Sequence, residues 1–238
     1  MKKFSGSIVV GLLLSSFALA GGDIAPVEPA VVVPAPVVDD SGFYLGVAYA
    51  FANWNRDSVL TLDNGVDAPF TVASATDEVD YNAIMAQAGY KFNQYIALEG
   101  RYWWSLGDND HDWSETEYVD GLPVGTISGS FNDGDDLRAW GIYLKPMYPV
   151  TEQFDIYALL GYGNVELSDD GGDFVDESDF QWGIGASYEF TENLSIFVDY
   201  VRLLDEGGSI TTVGELGELT DSWDDTVYTV NVGLTYKF

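Results

Sequence analysis

Residues 179–190, DFQWGIGASYEF, put Phe180, Trp182, Ile184, Ala186, Tyr188 and Phe190 on one face of an extended chain, with Asp179, Gln181, Gly183, Gly185, Ser187 and Glu189 on the other. A period of two over this length predicts a strand whose two faces meet different surroundings, one apolar and one polar. The pattern recurs in residues 43–54, 80–92, 95–105, 137–148, 154–165, 194–204 and the closing TVNVGLTYKF, which predicts eight strands. From Ser41 to Phe238 no apolar run approaches the roughly 20 residues that a membrane-spanning helix needs. If this part of the chain enters a bilayer, it does so as strands.

The connections alternate too. Short turns follow the second, fourth and sixth strands, at Asn93-Gln94, Val150 to Gln153 and Thr191 to Asn193, and long polar loops follow the others. A soluble lipocalin-like barrel also has eight strands, but it would have to fit the aromatic face inside. Too many bulky residues compete for that interior. Trp54, Trp104, Trp140 and Trp182 fall toward the long-loop ends, and Tyr90, Phe92, Tyr148, Tyr188, Phe190, Tyr236 and Phe238 toward the short-turn ends. Two such girdles suit the two interfaces of a bilayer.

The strand ends GYKF and SYEF, the three tight turns and the terminal TYKF resemble the small eight-stranded outer-membrane β-barrel family, the OmpA-type and opacity-like barrels often labelled porin-like. The resemblance covers about residues 41–238. It implies an all-β, antiparallel transmembrane barrel with short periplasmic turns and long extracellular loops. It also implies that Tyr236 and Phe238, on an aromatic terminal strand, form the signal read by the outer-membrane assembly machinery. The peptidoglycan-binding domain that many OmpA-type proteins carry after the barrel is not in this sequence.

The first twenty residues carry two lysines, a short apolar run and a small-x-small ending at Ala18 and Ala20, which predicts a secretory signal peptide cleaved after Ala20. Residues 21–41 are proline-rich and read as an extended periplasmic spacer, leaving 42–238 for the barrel. The chain has no Cys, which excludes disulfides, thiolate metal sites, Cys nucleophiles and a lipoprotein anchor.

The inward faces hold Lys91, Arg101, Lys145 and Lys237 with Glu99, Asp155, Glu189 and Asp199. Equal numbers of each sign predict a paired network, because an unpaired charge in a narrow lumen is expensive. Inward glycines either leave room for water or accommodate Tyr44, Tyr81, Trp103, Tyr143 and Tyr157. An eight-stranded lumen is about as wide as the side chains that fill it, so a filled interior is expected.

The net charge is -30, and 28 of the 39 acidic residues fall in the four long-loop regions. The expected role is a hydrated surface that resists association. Asp108, Asp110, Asp112, Asp169, Asp170 and Asp173 are candidates for loosely bound Ca²⁺ or Mg²⁺, although no stretch matches an EF-hand loop. The single histidine, His111, stands among acids with Ser105 and Ser114 nearby. Sequence proximity does not make a triad, and no residue is assigned a catalytic role. Basic stripes for nucleic acid and glycine-rich phosphate loops are absent from the sequence.

The expected function is that of an integral outer-membrane surface protein, structural or porin-like, without enzymatic activity and with no cofactor beyond loosely held loop cations. A lipid-modifying barrel enzyme and a narrow solute channel are the alternatives. The expected partners are outer-membrane lipids, lipopolysaccharide and the assembly machinery. The sequence does not give an oligomeric state.

Overall fold

The computed structural model describes residues 40–107, 109–133, 136–169, 172–215 and 217–238. The predicted signal peptide and nearly all of the proline-rich segment lie outside the described residues. The described residues form ten strands: β1 (Gly42–Asp63), β2 (Phe70–Asn93), β3 (Ile96–Ser105), β4 (Asn109–Val119), β5 (Leu122–Asp133), β6 (Asp136–Pro149), β7 (Phe154–Asp169), β8 (Gly172–Glu189), β9 (Leu194–Gly214) and β10 (Gly217–Lys237). Eight of them close a ring in the order β1-β10-β9-β8-β7-β6-β3-β2, with β2 returning to β1. All of these pairings are antiparallel.

Side-chain alternation decides which face looks out. On β1, Phe43 is 68% exposed and Phe51 57%, whereas Tyr44 is 6% exposed and Ala50 0%. The apolar side chains therefore form the outer wall, which rules out the lipocalin arrangement. Such a wall is stable only against lipid. The three short turns lie where the sequence puts them and share one device. Asn93 Oδ1 accepts hydrogen bonds from the Tyr95 and Ile96 amides, and the Thr151 and Thr191 hydroxyl oxygens accept from the amides two and three residues on.

The long loops are largely absent as loops. β1 and β2 stay paired out to Leu62 and Phe70, and β9 and β10 out to Gly214 and Gly217. Residues 109–133, expected as a loop, form the hairpin β4–β5, with β4 laid against the outer half of β2. The physical reason is that these segments carry Thr, Val and Ile with Tyr, Trp and Phe, which favour strands even in a segment that is polar overall. Thr116 and Thr126 pair hydroxyls across β4–β5 at 2.9 Å, and Thr211 and Thr220 do so across β9–β10 at 2.9 Å. The β4–β5 turn is Asp120-Gly121, with φ of 50° and 73°, the positive values that a two-residue hairpin turn requires.

Trp54 is a second correction. It shares the parity of Tyr44, is 5% exposed, and faces the interior, where its indole N–H donates to Asp225 at 3.0 Å. The outer girdle is left to Trp104, Trp140 and Trp182, which are partly exposed on the wall. Tyr236 and Phe238 are exposed near Phe43 at the short-turn end. Their rings meet edge to face at 5.1 Å, and the Phe238 amide donates to the Phe43 carbonyl at 2.9 Å.

Candidate functional site

Eight inward faces define the lumen, and its charged residues separate into clusters. The central one begins on β3, where Glu99 and Arg101 are two residues apart and so point the same way. Arg101 Nε donates to Glu99 Oε1 at 2.5 Å, while Nη1 and Nη2 donate to Asp199 Oδ1 and Oδ2 at 3.1 and 2.8 Å. Lys145 Nζ donates to Glu99 Oε2 at 3.0 Å, and the same oxygen accepts from the Tyr44 hydroxyl at 2.6 Å. Tyr157 and Asn231 donate to Asp199, each at 2.8 Å, and Trp103 donates to Asn231 Oδ1 at 2.9 Å. Two acids and two bases balance, and the side chains of Glu99, Arg101 and Asp199 are 0% exposed. A buried ion group of this kind is tolerated only when its lone pairs and protons are satisfied, as they are here.

Aromatic rings fill the space between these charges. Lys145 Nζ sits 4.1 Å from the centre of the Tyr157 ring, and the Arg101 guanidinium lies near the rings of Tyr143 and Phe197. The inward glycines make room for the rings. A Cβ on Gly185 would stand 2.6 Å from the Tyr157 ring and 2.5 Å from Asp199 Cβ, and one on Gly89 would strike the Tyr44 ring. Gly89, Gly141, Gly161 and Gly185 therefore accommodate tyrosines, whereas Gly46 and Gly163 face glutamines. Toward the long hairpins the interior is filled mainly by buried Leu137, Leu159, Val165, Leu167, Leu203 and Val227, with Asn53, Gln181 and Thr229 also buried.

The predicted eight-residue network is thus divided. Lys91, Lys237, Glu189 and Asp155 line a small cavity of about 60 Å³ at the short-turn end. Asp40 joins them, paired to Lys91 at 2.5 Å and to Lys237, with Glu189 4.0 Å from Lys91. Burial pushes the Asp40 carboxyl up, but hydrogen bonds from Lys237 and Lys91 overcome this and hold it below the ordinary carboxylate value. Asp40 was missed because it ends the proline-rich segment, and nothing in its neighbours' periodicity ties it to the lumen.

A third cluster, at the hairpin end, lay in segments counted as loops. Arg56 grips Asp225 through Nε at 2.8 Å and Nη2 at 2.7 Å, and it lies over the Trp54 ring. A cavity of about 420 Å³ opens between the outer parts of β8 and β9–β10, lined by Asp176, Glu177, Glu206 and Asp221 beside Arg56 and Trp223. The neighbouring Glu177 carboxylate, with a smaller effect of burial, pushes the Glu206 carboxyl up. The alternating parity of Trp54 and Arg56 continues that of Tyr44 and could have placed both inside.

Among the predicted metal-ligand candidates, Asp110 and Asp112 stand on β4, in register with Asp80 and Glu78 of β2. Asp108 and Asp170 lie outside the described residues, and so do the side chains of Asp169 and Asp173. Among the described residues no group of three His, Cys, Asp or Glu side chains is arranged to hold a metal ion. His111 Nε2 lies 3.3 Å from Asp77, and its ring lies 4.5 Å from that of Phe131. Ser105 bonds to Asp136 and to the Leu137 amide, while Ser114 is of opposite parity to His111 on β4. The structure joins His111 to an acid and brings neither serine to it.

A family model described as the outer membrane protein beta-barrel domain matches residues 24–238. Among solved structures, the chain is similar to the outer membrane protein OprG from Pseudomonas aeruginosa, at 16% identity over 83% of this chain and 96% of that one, with a TM-score of 0.52. Ail, the attachment invasion locus protein of Yersinia pestis, matches at 15% identity over 83% and 99% of the two chains, with a TM-score of 0.38. The outer membrane protease OmpT from Escherichia coli matches at 12% identity over 87% and 99%, with a TM-score of 0.43. No curated protein sequence matches significantly.

Proposed function

The chain belongs to the outer membrane protein beta-barrel family, and from that premise we propose that it is a closed structural barrel that carries long acidic hairpins on the cell surface. One observation carries this reading: Arg101 spans the lumen between Glu99 and Asp199 with no exposed side-chain surface, beneath a layer of packed side chains. A solute or ion crossing the barrel would have to break the bidentate pair and then displace packed, buried side chains that include Leu137, Leu159 and Leu203. The acidic hairpins keep the outer face hydrated. Lipopolysaccharide and the other outer-membrane lipids are the surroundings of the wall, and the assembly machinery recognises the terminal strand through Tyr236 and Phe238. The reading assigns no catalytic role: Ser105 is bonded to Asp136 and the Leu137 amide, and Ser114 is of opposite parity to His111.

Liposomes loaded with an impermeant polymer and carrying the refolded protein test the proposal. Their swelling rate in isotonic small sugars should match that of empty liposomes. Swelling faster in proportion to the protein content would overturn it.

A further inference from the structure

The outer rim exposes several strand edges, and they differ sharply in chemistry. Among the described residues β8 pairs with β9 only along Trp182–Glu189, and beyond that the two strand edges part, with the Asp205 amide donating to Asp179 Oδ2 at 3.1 Å. Those segments carry Asp176, Glu177 and Asp179 on β8 and Asp205 and Glu206 on β9. Charged side chains on an edge are a common protection against pairing with another chain. Among the described residues β5 is also an edge, paired only with β4. Its stretch Leu122–Phe131, LPVGTISGSF, contains no ionisable side chain, in a chain of net charge -30. Val124 is 59% exposed, Ile127 61% and Phe131 46%. The edge that lacks charge is therefore long and open, with its one proline, Pro123, at the turn end.

Strand direction selects the partner. β1 runs away from the short turns, β2 back toward them, β4 outward again and β5 back toward the wall. Two identical edges pair through a twofold axis perpendicular to the sheet, which makes the strands antiparallel. Copies in one membrane have their β5 strands running the same way and cannot meet so. A copy in a facing membrane is inverted and can. Centred on Ile127, the pairing sets Thr126 against Ser128, Gly125 against Gly129, Val124 against Ser130 and Pro123 against Phe131, with no like charges opposed. We propose that β5 is a homophilic docking edge at which copies on two facing membranes join by strand addition, main-chain hydrogen bonds giving affinity and the uncharged side chains permitting approach. The inference rests on the proposed surface display of the hairpins, but it is independent of whether the lumen conducts.

Two populations of proteoliposomes, each with a different dye and the full chain inserted, test this at about 0.15 M salt, where surface repulsion is screened within about 8 Å. Many weak contacts between vesicles add, so mixed clusters should form with the wild-type chain. Ile127→Lys in both populations places like charges at the centre of the seam and should slow clustering about tenfold or more. Ile127→Lys vesicles mixed with Ile127→Glu vesicles should cluster again. Heat-modifiable gel migration checks that each variant is folded, and outward orientation is checked by protease cleavage of the hairpins. In detergent micelles, where copies can invert, the wild type should dimerise, whereas in a single bilayer it should not. Folded, outward-facing wild-type vesicles that do not cluster, or Lys-only vesicles that cluster like wild type, would overturn the proposal.

Discussion

Arg101 on β3 holds Asp199 on β9 with both guanidinium arms, at 3.1 and 2.8 Å, across the barrel and 98 residues away in sequence. Neither side chain has exposed surface, so the pair cannot borrow water if one partner is lost. Arg101→Met leaves Asp199 and Glu99 short of a cation and should destabilise the barrel by about 3–5 kcal/mol. Combining it with Asp199→Met should cost less than the two single changes together, with a coupling of about 0.5–3 kcal/mol. Urea unfolding in micelles, followed by tryptophan fluorescence, measures both, and strict additivity would show that the pair is not a unit.

Gly185 tests the packing of the lumen. Its missing Cβ is the space taken by the Tyr157 ring and Asp199 Cβ, and the latter is fixed to the backbone of β9. Gly185→Ala should therefore overpack the interior and cost about 1–3 kcal/mol. Unchanged urea stability would mean that the wall yields there.

The Asp40 clamp gives a pH dependence. Its folded carboxyl lies below the ordinary value of 3.8, so the stability it contributes is present at neutral pH and lost as pH falls through that folded value. The group is partly solvated, which limits its worth to under about 1 kcal/mol. The difference in thermal midpoint between the wild type and Asp40→Asn should be present at pH 7 and close below pH 3.8. A difference independent of pH would assign the effect to shape and not to charge.

Tyr236 and Phe238 are predicted to matter before the barrel is folded. Phe238→Asp should lower the amount inserted into the outer membrane and leave export unchanged. Fractionation of cells expressing the variant measures this, and normal insertion would reduce Phe238 to an interface anchor.

Side-chain parity made much of this legible. Counting alternate residues put Glu99, Arg101, Lys145 and Asp199 inside before any partner was known, and put Phe180, Trp182 and Ile184 on the wall. Parity cannot say which inward residue meets which across the lumen, because Arg101 and Asp199 are brought together by ring closure. It did hold the answer for Trp54, which follows Tyr44 in even steps; a girdle assigned by height along the strand obscured it. The hairpins were hidden by their acidity, since polar segments of Thr, Ser and Val read as loops when composition is weighed above β-propensity. The Asp120-Gly121 pair was the missed signal for β4–β5. Asp40 had no such signal.

Conductance tests the central claim most directly. The refolded chain in a planar bilayer, at high salt and up to about 100 mV, should give no steady unitary current, because the Arg101 bridge and the packed side chains above it block the lumen. Opening both barriers, with Arg101→Ala and Leu159→Ser in one folded variant, should introduce a current. A stable open channel in the wild-type protein, with the same unitary size in the double variant, would contradict the closed barrel.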